Sequence, residues 1–138
     1  MADDSTLGPW FGFEVIHSYT RAQALADGVL VDVTEIAKTC GYQTHTAFSE
    51  ALFEHCERVA RQRTGDPAEQ QQETQRVARR VLAAARSACL ARAEQDNPRT
   101  YFQLPEMTFG EHTDPMILHI GGGDNGEPVA TVMYPEDD

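Results

Sequence analysis

The segment between Asp66 and Pro98 constrains this 138-residue chain more than any other. Asp66-Pro67-Ala68-Glu69 places an acid at an N-cap position, a proline at the first helical position and a glutamate three residues after the cap. It is the clearest helix start in the chain. Asn97-Pro98 supplies the stop. One helix is therefore predicted from Pro67 to about Glu94 or Gln95, roughly 40 Å long at 1.5 Å per residue. That is unusually long for a domain of this size. Counted at 100° per residue, Val77, Val81, Leu82, Ala84, Ala85 and Ala88 share one broad arc. Arg76, Arg79 and Arg80 share the opposite arc, with Arg86 at its edge. Pairing with Glu69 and Glu73 at i, i+3 and i+4 explains part of this basic face as a solvated surface. The competing reading makes it a surface for a partner or for a second copy of the chain.

Punctuation on either side of the helix divides the chain into short elements. Phe11 to Tyr19 alternates around Phe11, Phe13 and Val15 and reads as a first strand. Thr20-Arg21-Ala22-Gln23 has the form of a capping box and opens a short helix that Gly28 can end. Val29 to Val33 reads as a brief strand or an extended connection. Asp32-Val33-Thr34-Glu35 then starts a second short helix ending at Gly41. A third helix is expected from Thr46 to Gln62, because Phe48, Leu52, His55 and Val59 keep helical spacing. Beyond the long helix, three segments alternate as strands: Thr100 to Thr108, Met116 to Ile120 and Val129 to Met133. The predicted class is α+β in one domain spanning 1–138, with an N-terminal strand, four helices and a C-terminal antiparallel meander. The last two strands should pair around Gly121–Gly126, in a sheet that the helices cover on one face.

Charge narrows the function classes. Eleven Lys and Arg against 22 Asp and Glu give a net charge of −11. Residues 1–57 and 100–138 are acidic, and the bases concentrate in residues 58–99. Such a chain is repelled by phosphate backbones and anionic headgroups, so direct nucleic-acid or membrane binding is not expected. No apolar run approaches the ~18 residues of a membrane span. The acidic start Met1-Ala2-Asp3-Asp4 lacks the basic region of a secretory signal. A cytoplasmic location is the expectation. Glu111, Asp114, Asp124 and Glu127 have no base near them in sequence, so their neutralisation would have to come from the distant Arg helix or not at all.

Catalytic and metal motifs are weak. Cys40, Cys56 and Cys89 are widely spaced, with no CxxC and no zinc-type Cys–His spacing. Gly121-x-Gly123-x-x-Gly126 matches a dinucleotide fingerprint in letters, but it feeds a strand and carries Asp124, which repels phosphate. His112, Asp114 and His119 lie close in sequence, yet Asp114-Pro115 is a turn and His119 belongs to a strand. His55 and Cys56 are helix neighbours pointing about 100° apart and cannot act as a dyad. No catalytic residue, cofactor or metal is assigned.

Two blocks carry a family likeness. Ile16-His17-Ser18-Tyr19-Thr20-Arg21-Ala22-Gln23-Ala24-Leu25-Ala26-Asp27-Gly28-Val29-Leu30-Val31-Asp32-Val33 and Gly122-Gly123-Asp124-Asn125-Gly126-Glu127-Pro128-Val129-Ala130-Thr131-Val132-Met133 resemble the opening and close of a family of small uncharacterised proteins. Members of that family are typically found in bacterial plasmids, phages and integrative elements. The resemblance implies a shared fold and that genomic setting, not an activity. Small acidic proteins of such elements are often anti-defence inhibitors whose carboxylates imitate DNA phosphates. The expected function is therefore a non-catalytic binder of a host protein with a basic, nucleic-acid-binding surface. Glu111, Asp114, Asp124 and Glu127 form its acidic contact set, and Arg76, Arg79, Arg80 and Arg86 form a second candidate face. Two alternatives stay open. One is an enzyme similar to ADP-ribosyltransferases, using His17 and Glu127; the other is an accessory protein that self-associates into a homo-oligomer through the Arg face.

Overall fold

A computed structural model describes residues 19–92, 97–105 and 115–137. The chain enters through α1 (Arg21–Ala26), whose capping box forms as the sequence predicts. Thr20 Oγ1 accepts from Gln23 N at 3.0 Å, and Gln23 Oε1 accepts from Thr20 N at 2.9 Å. Gly28, at φ +80°, takes the left-handed position just past the helix end. The extended stretch that follows is a strand, β1 (Leu30–Asp32). In α2 (Thr34–Lys38) the N-cap is Val33, which offers no side-chain bond. Asp32 serves instead, accepting from Thr34 N at 2.9 Å and from Thr34 Oγ1 at 2.6 Å.

The region from Thr46 corrects the sequence reading. His45–Ser49 is a strand, β2, and the helix α3 occupies Glu50–Arg63. Ser49 is its N-cap, with Oγ accepting from Leu52 N at 3.3 Å. Phe48 and Leu52, four residues apart, do share one core. They reach it from a strand end and a helix start, a placement that mimics helical spacing. α4 (Pro67–Ala91) follows, with Asp66 Oδ1 accepting from Ala68 N at 2.9 Å. It is shorter than predicted, about 37 Å at 1.5 Å per residue. Arg92 closes it by turning extended and donating to the carbonyls of Asn97 and Arg99.

β3 (Arg99–Phe102), β4 (Met116–Gly122) and β5 (Pro128–Met133) make the predicted antiparallel meander. β3 is shorter than the segment Thr100 to Thr108, of which residues 106–108 lie outside the described set. The expected first strand lies outside it too, apart from Tyr19. The sheet order is β1-β2-β5-β4-β3, with β2 parallel to β5 and β1 antiparallel to β2. A parallel pair needs a long crossover, and here α3, α4, β3 and β4 supply it. The fold is α+β, as expected.

The core fills one face of the sheet. Phe48, Leu118 and Val132 meet Leu52, Cys56 and Val59 of α3 and Val77, Val81, Leu82 and Ala85 of α4. Their burial stabilises by roughly 1.5–3 kcal/mol for each large side chain. The helices do not all cover this face. α2, α3 and α4 pack there, while the Arg21 side chain of α1 bonds Thr131 on the other side of the sheet.

Candidate functional site

The Gly121–Gly126 segment ends β4 and turns into β5, so its glycines lead into a strand and no helix begins from them. Gly123 N donates to Glu127 O at 2.6 Å, Gly126 N donates to Gly123 O at 3.0 Å, and Gly126 sits at φ +81°. The turn presents Asp124 outward to α1. Asp124 Oδ1 accepts from Arg21 N at 2.8 Å and Oδ2 from Ala22 N at 3.1 Å. A carboxylate from the far end of the chain thus satisfies the free amides at the start of α1.

The Arg21 guanidinium runs beneath this contact. Nη1 donates to Thr131 Oγ1 at 2.8 Å and Nη2 to Ala130 O at 3.0 Å, while buried Nε has no hydrogen-bond partner. Burial lowers its pKa, and the charges of Asp124, Asp32 and Glu127 oppose that shift. Asp32 sits nearby, 3.6 Å from His45 Nε2. Burial pushes the Asp32 carboxyl up, but the Thr34 hydrogen bonds, with His45 and Arg21, outweigh it and hold the group below its ordinary value. Arg21, Ala22, Leu25, His45, Asp124 and Glu127 line a hollow of about 130 Å³.

Asp124 is therefore engaged by the backbone amides of α1, a partner that the sequence reading, which offered the long helix or none, did not foresee. Sequence alone missed this meeting because Arg21 and Asp124 lie 103 residues apart. The signal was present: Arg21 is the one arginine in residues 1–57. Glu127 stays at the turn, exposed, with Oε1 accepting from Asn125 N at 2.9 Å. Glu111, Asp114, His17 and His112 lie outside the described residues. His119 is on β4, its ring close enough to Gly121 that an added Cβ there would lie 2.7 Å from Cε1.

Arg76, Arg79, Arg80 and Arg86 are all exposed along α4. Arg76 pairs with Glu73, which also takes Arg63 of α3 at 3.3 Å and so ties the two helices together. Glu69 turns away to accept from Thr64 Oγ1 at 3.2 Å. Arg86 lies over Gly41, where a Cβ would come within 3.1 Å of its Cζ. The intrahelical network of the sequence reading is thus realised in the Glu73–Arg76 pair, and Glu69 serves the N-terminal connection instead.

A second acidic patch was not singled out from sequence. Glu50 of α3 is exposed and lines a hollow together with Asp137 of the 3₁₀ turn Pro135–Asp137, and Glu54 and Glu136 are exposed on the same two segments. Ser49 Oγ donates to Asp137 Oδ2 at 2.8 Å, which joins the two segments. A hollow of about 210 Å³ lies between them, lined in part by Val29, Leu30, Glu50, Met133 and Asp137. In the interior His55 Nδ1 hydrogen-bonds the Tyr134 hydroxyl, and burial raises the Tyr134 pKa. Among the described residues, no three His, Cys, Asp or Glu side chains are grouped to hold a metal, and no helix is long and apolar enough to cross a membrane.

These features define a small α+β protein with a mixed five-stranded sheet, a paired acidic turn, an exposed acidic corner and an Arg-bearing helix. The chain belongs to a family of unknown function, DUF6573, whose pattern matches residues 9–138. Both blocks that carried the likeness in sequence fall inside that span. No curated protein and no solved structure matches the chain.

Proposed function

We propose that this protein is a non-catalytic acidic binder that engages a basic surface on a host protein. The observation that supports it most directly is the acidic corner. Glu50, Glu54 and Glu136 are exposed, and among the described residues none forms an ion pair. Exposed carboxylates on α3 and on the 3₁₀ turn, with Glu50 and Asp137 lining one hollow, project a field that speeds encounter with a basic partner and weakens as salt rises. The likeness to proteins of plasmids, phages and integrative elements points to a host defence complex as the partner. An anti-CRISPR or anti-restriction role would use the acids to occupy a nucleic-acid channel. Self-association is the second reading, supported by the exposed Arg residues of α4. A transferase built on His17 and Glu127 has less support, since Glu127 bonds within its own turn.

The test is capture of host proteins by the tagged chain at low and high salt. Captured proteins should be basic, and capture should fall as salt rises. Glu50→Gln, Glu54→Gln and Glu136→Gln together should abolish it, as should neutralising Glu111, Asp114, Asp124 and Glu127 together if the turn also takes part. Capture unchanged in both variants, with circular dichroism showing intact folds, would sink the acidic-mimic reading.

A further inference from the structure

A cleft of about 550 Å³ opens where the α3–α4 hairpin closes against the start of α2. Its size falls in the range of small-molecule sites, roughly 300–1,000 Å³. The floor is apolar. Val33 is buried, Ile36 and Phe53 are half-buried, and Thr74 turns its hydroxyl back to Gln70 O at 2.8 Å. The rim is polar. α3 brings Glu57 and Arg61, one turn apart, and α4 brings Gln70, Gln71 and Gln75. None of these five side chains forms a hydrogen bond or ion pair among the described residues. Asp32 also reaches the rim, but Thr34 and His45 already engage its carboxylate.

Chemistry narrows the occupant. An anion would face Glu57 and Asp32 against the single charge of Arg61. A wholly apolar molecule would strip water from five polar side chains and give them nothing in return. Three amides offer donors and acceptors together, so they match a neutral ligand that carries both on one edge. Glutamine pairs in bidentate fashion with the amino group and ring nitrogen of adenine, and Phe53 offers that base a flat apolar surface. Glu57 can accept from sugar hydroxyls. We propose that the cleft between α2, α3 and α4 binds a neutral purine nucleoside, with adenine the preferred base. This site is separate from the acidic corner, so its failure would leave the host-protein reading untouched.

Titration of the isotope-labelled full chain with adenosine, adenosine monophosphate and uridine, followed by amide shifts, tests this. Adenosine should give saturable shifts clustered on residues 33–36, 53–61 and 70–75. The monophosphate should bind more weakly because of its added negative charge. Gln71→Ala with Gln75→Ala should weaken adenosine about tenfold or more, the loss expected for a bidentate base contact. Both glutamines lack side-chain bonds, so the urea midpoint should stay put and separate lost binding from lost fold. Phe53→Leu, which keeps an apolar filler, should weaken adenosine as well. No saturable shift, shifts centred elsewhere, tighter binding of the monophosphate, or unaltered affinity in the double variant would each overturn the proposal.

Discussion

Arg21 shows how much one side chain can organise. Its backbone amide meets Asp124, and its guanidinium binds Thr131 and Ala130 from β5. Arg21→Met should therefore destabilise the fold by about 1–3 kcal/mol, read from urea midpoints, because the Thr131 hydroxyl and a strand carbonyl lose their donors. Asp32 gives a pH signature. Its folded carboxyl lies below the ordinary value, so its contribution is complete above the unfolded value of about 4. That contribution is lost as pH falls through the folded value. Asp32→Asn should flatten the acid side of the stability profile and leave it parallel to wild type near neutrality. The bonds of Asp32 to Thr34 were legible as a cap, whereas those of Arg21 to β5 and the approach of Arg21 and His45 to Asp32 were not. Arg21 read as a member of a capping box and Asp32 as an N-cap, since local sequence reports local bonds and not the partners that a sheet brings across.

At the scale of elements, the readable parts were those with chemical punctuation. Asp66-Pro67 started α4 where expected, and Gly28 ended α1. The β4–β5 hairpin formed around its glycines, although Met116 to Leu118 and all of Val129 to Met133 are buried, so both faces of these strands are covered. What sequence hid was β2, because Phe48, Leu52, His55 and Val59 hold one apolar stripe across a strand–helix junction. The junction rests on Ser49, which caps α3 and also bonds Asp137 of the 3₁₀ turn. Ser49→Ala should cost about 1–2 kcal/mol, the usual loss for a serine cap, measured by thermal or urea unfolding. Leu82→Ala, on the buried arc of α4, should cost more, about 2–5 kcal/mol, because a fully buried site leaves a cavity. The apolar and basic arcs of α4 were legible from periodicity alone. Which bases found partners was not, because Arg63 and Gly41 come from other elements.

For the whole molecule, the uneven charge of the sequence becomes a surface with two signs. The α4 arginines are exposed, and so are Glu50 and Glu54 of α3 and Glu136 of the 3₁₀ turn. The two sets let the two partner readings be told apart by changing one sign at a time. Neutralising Arg76, Arg79, Arg80 and Arg86 to Gln would take the net charge from −11 to −15. A binder that uses its acids should then capture a basic partner at least as well as before, and faster at low salt, because the opposing field is removed. Self-association through the Arg face should vanish in the same variant, since each exposed pair contributes only about 0–1 kcal/mol and the contact depends on their sum. Sedimentation of the variant and wild type at low salt, beside capture of the basic partner, reads both effects. Capture lost along with the arginines would move the binding surface to α4 and end the acidic-corner proposal.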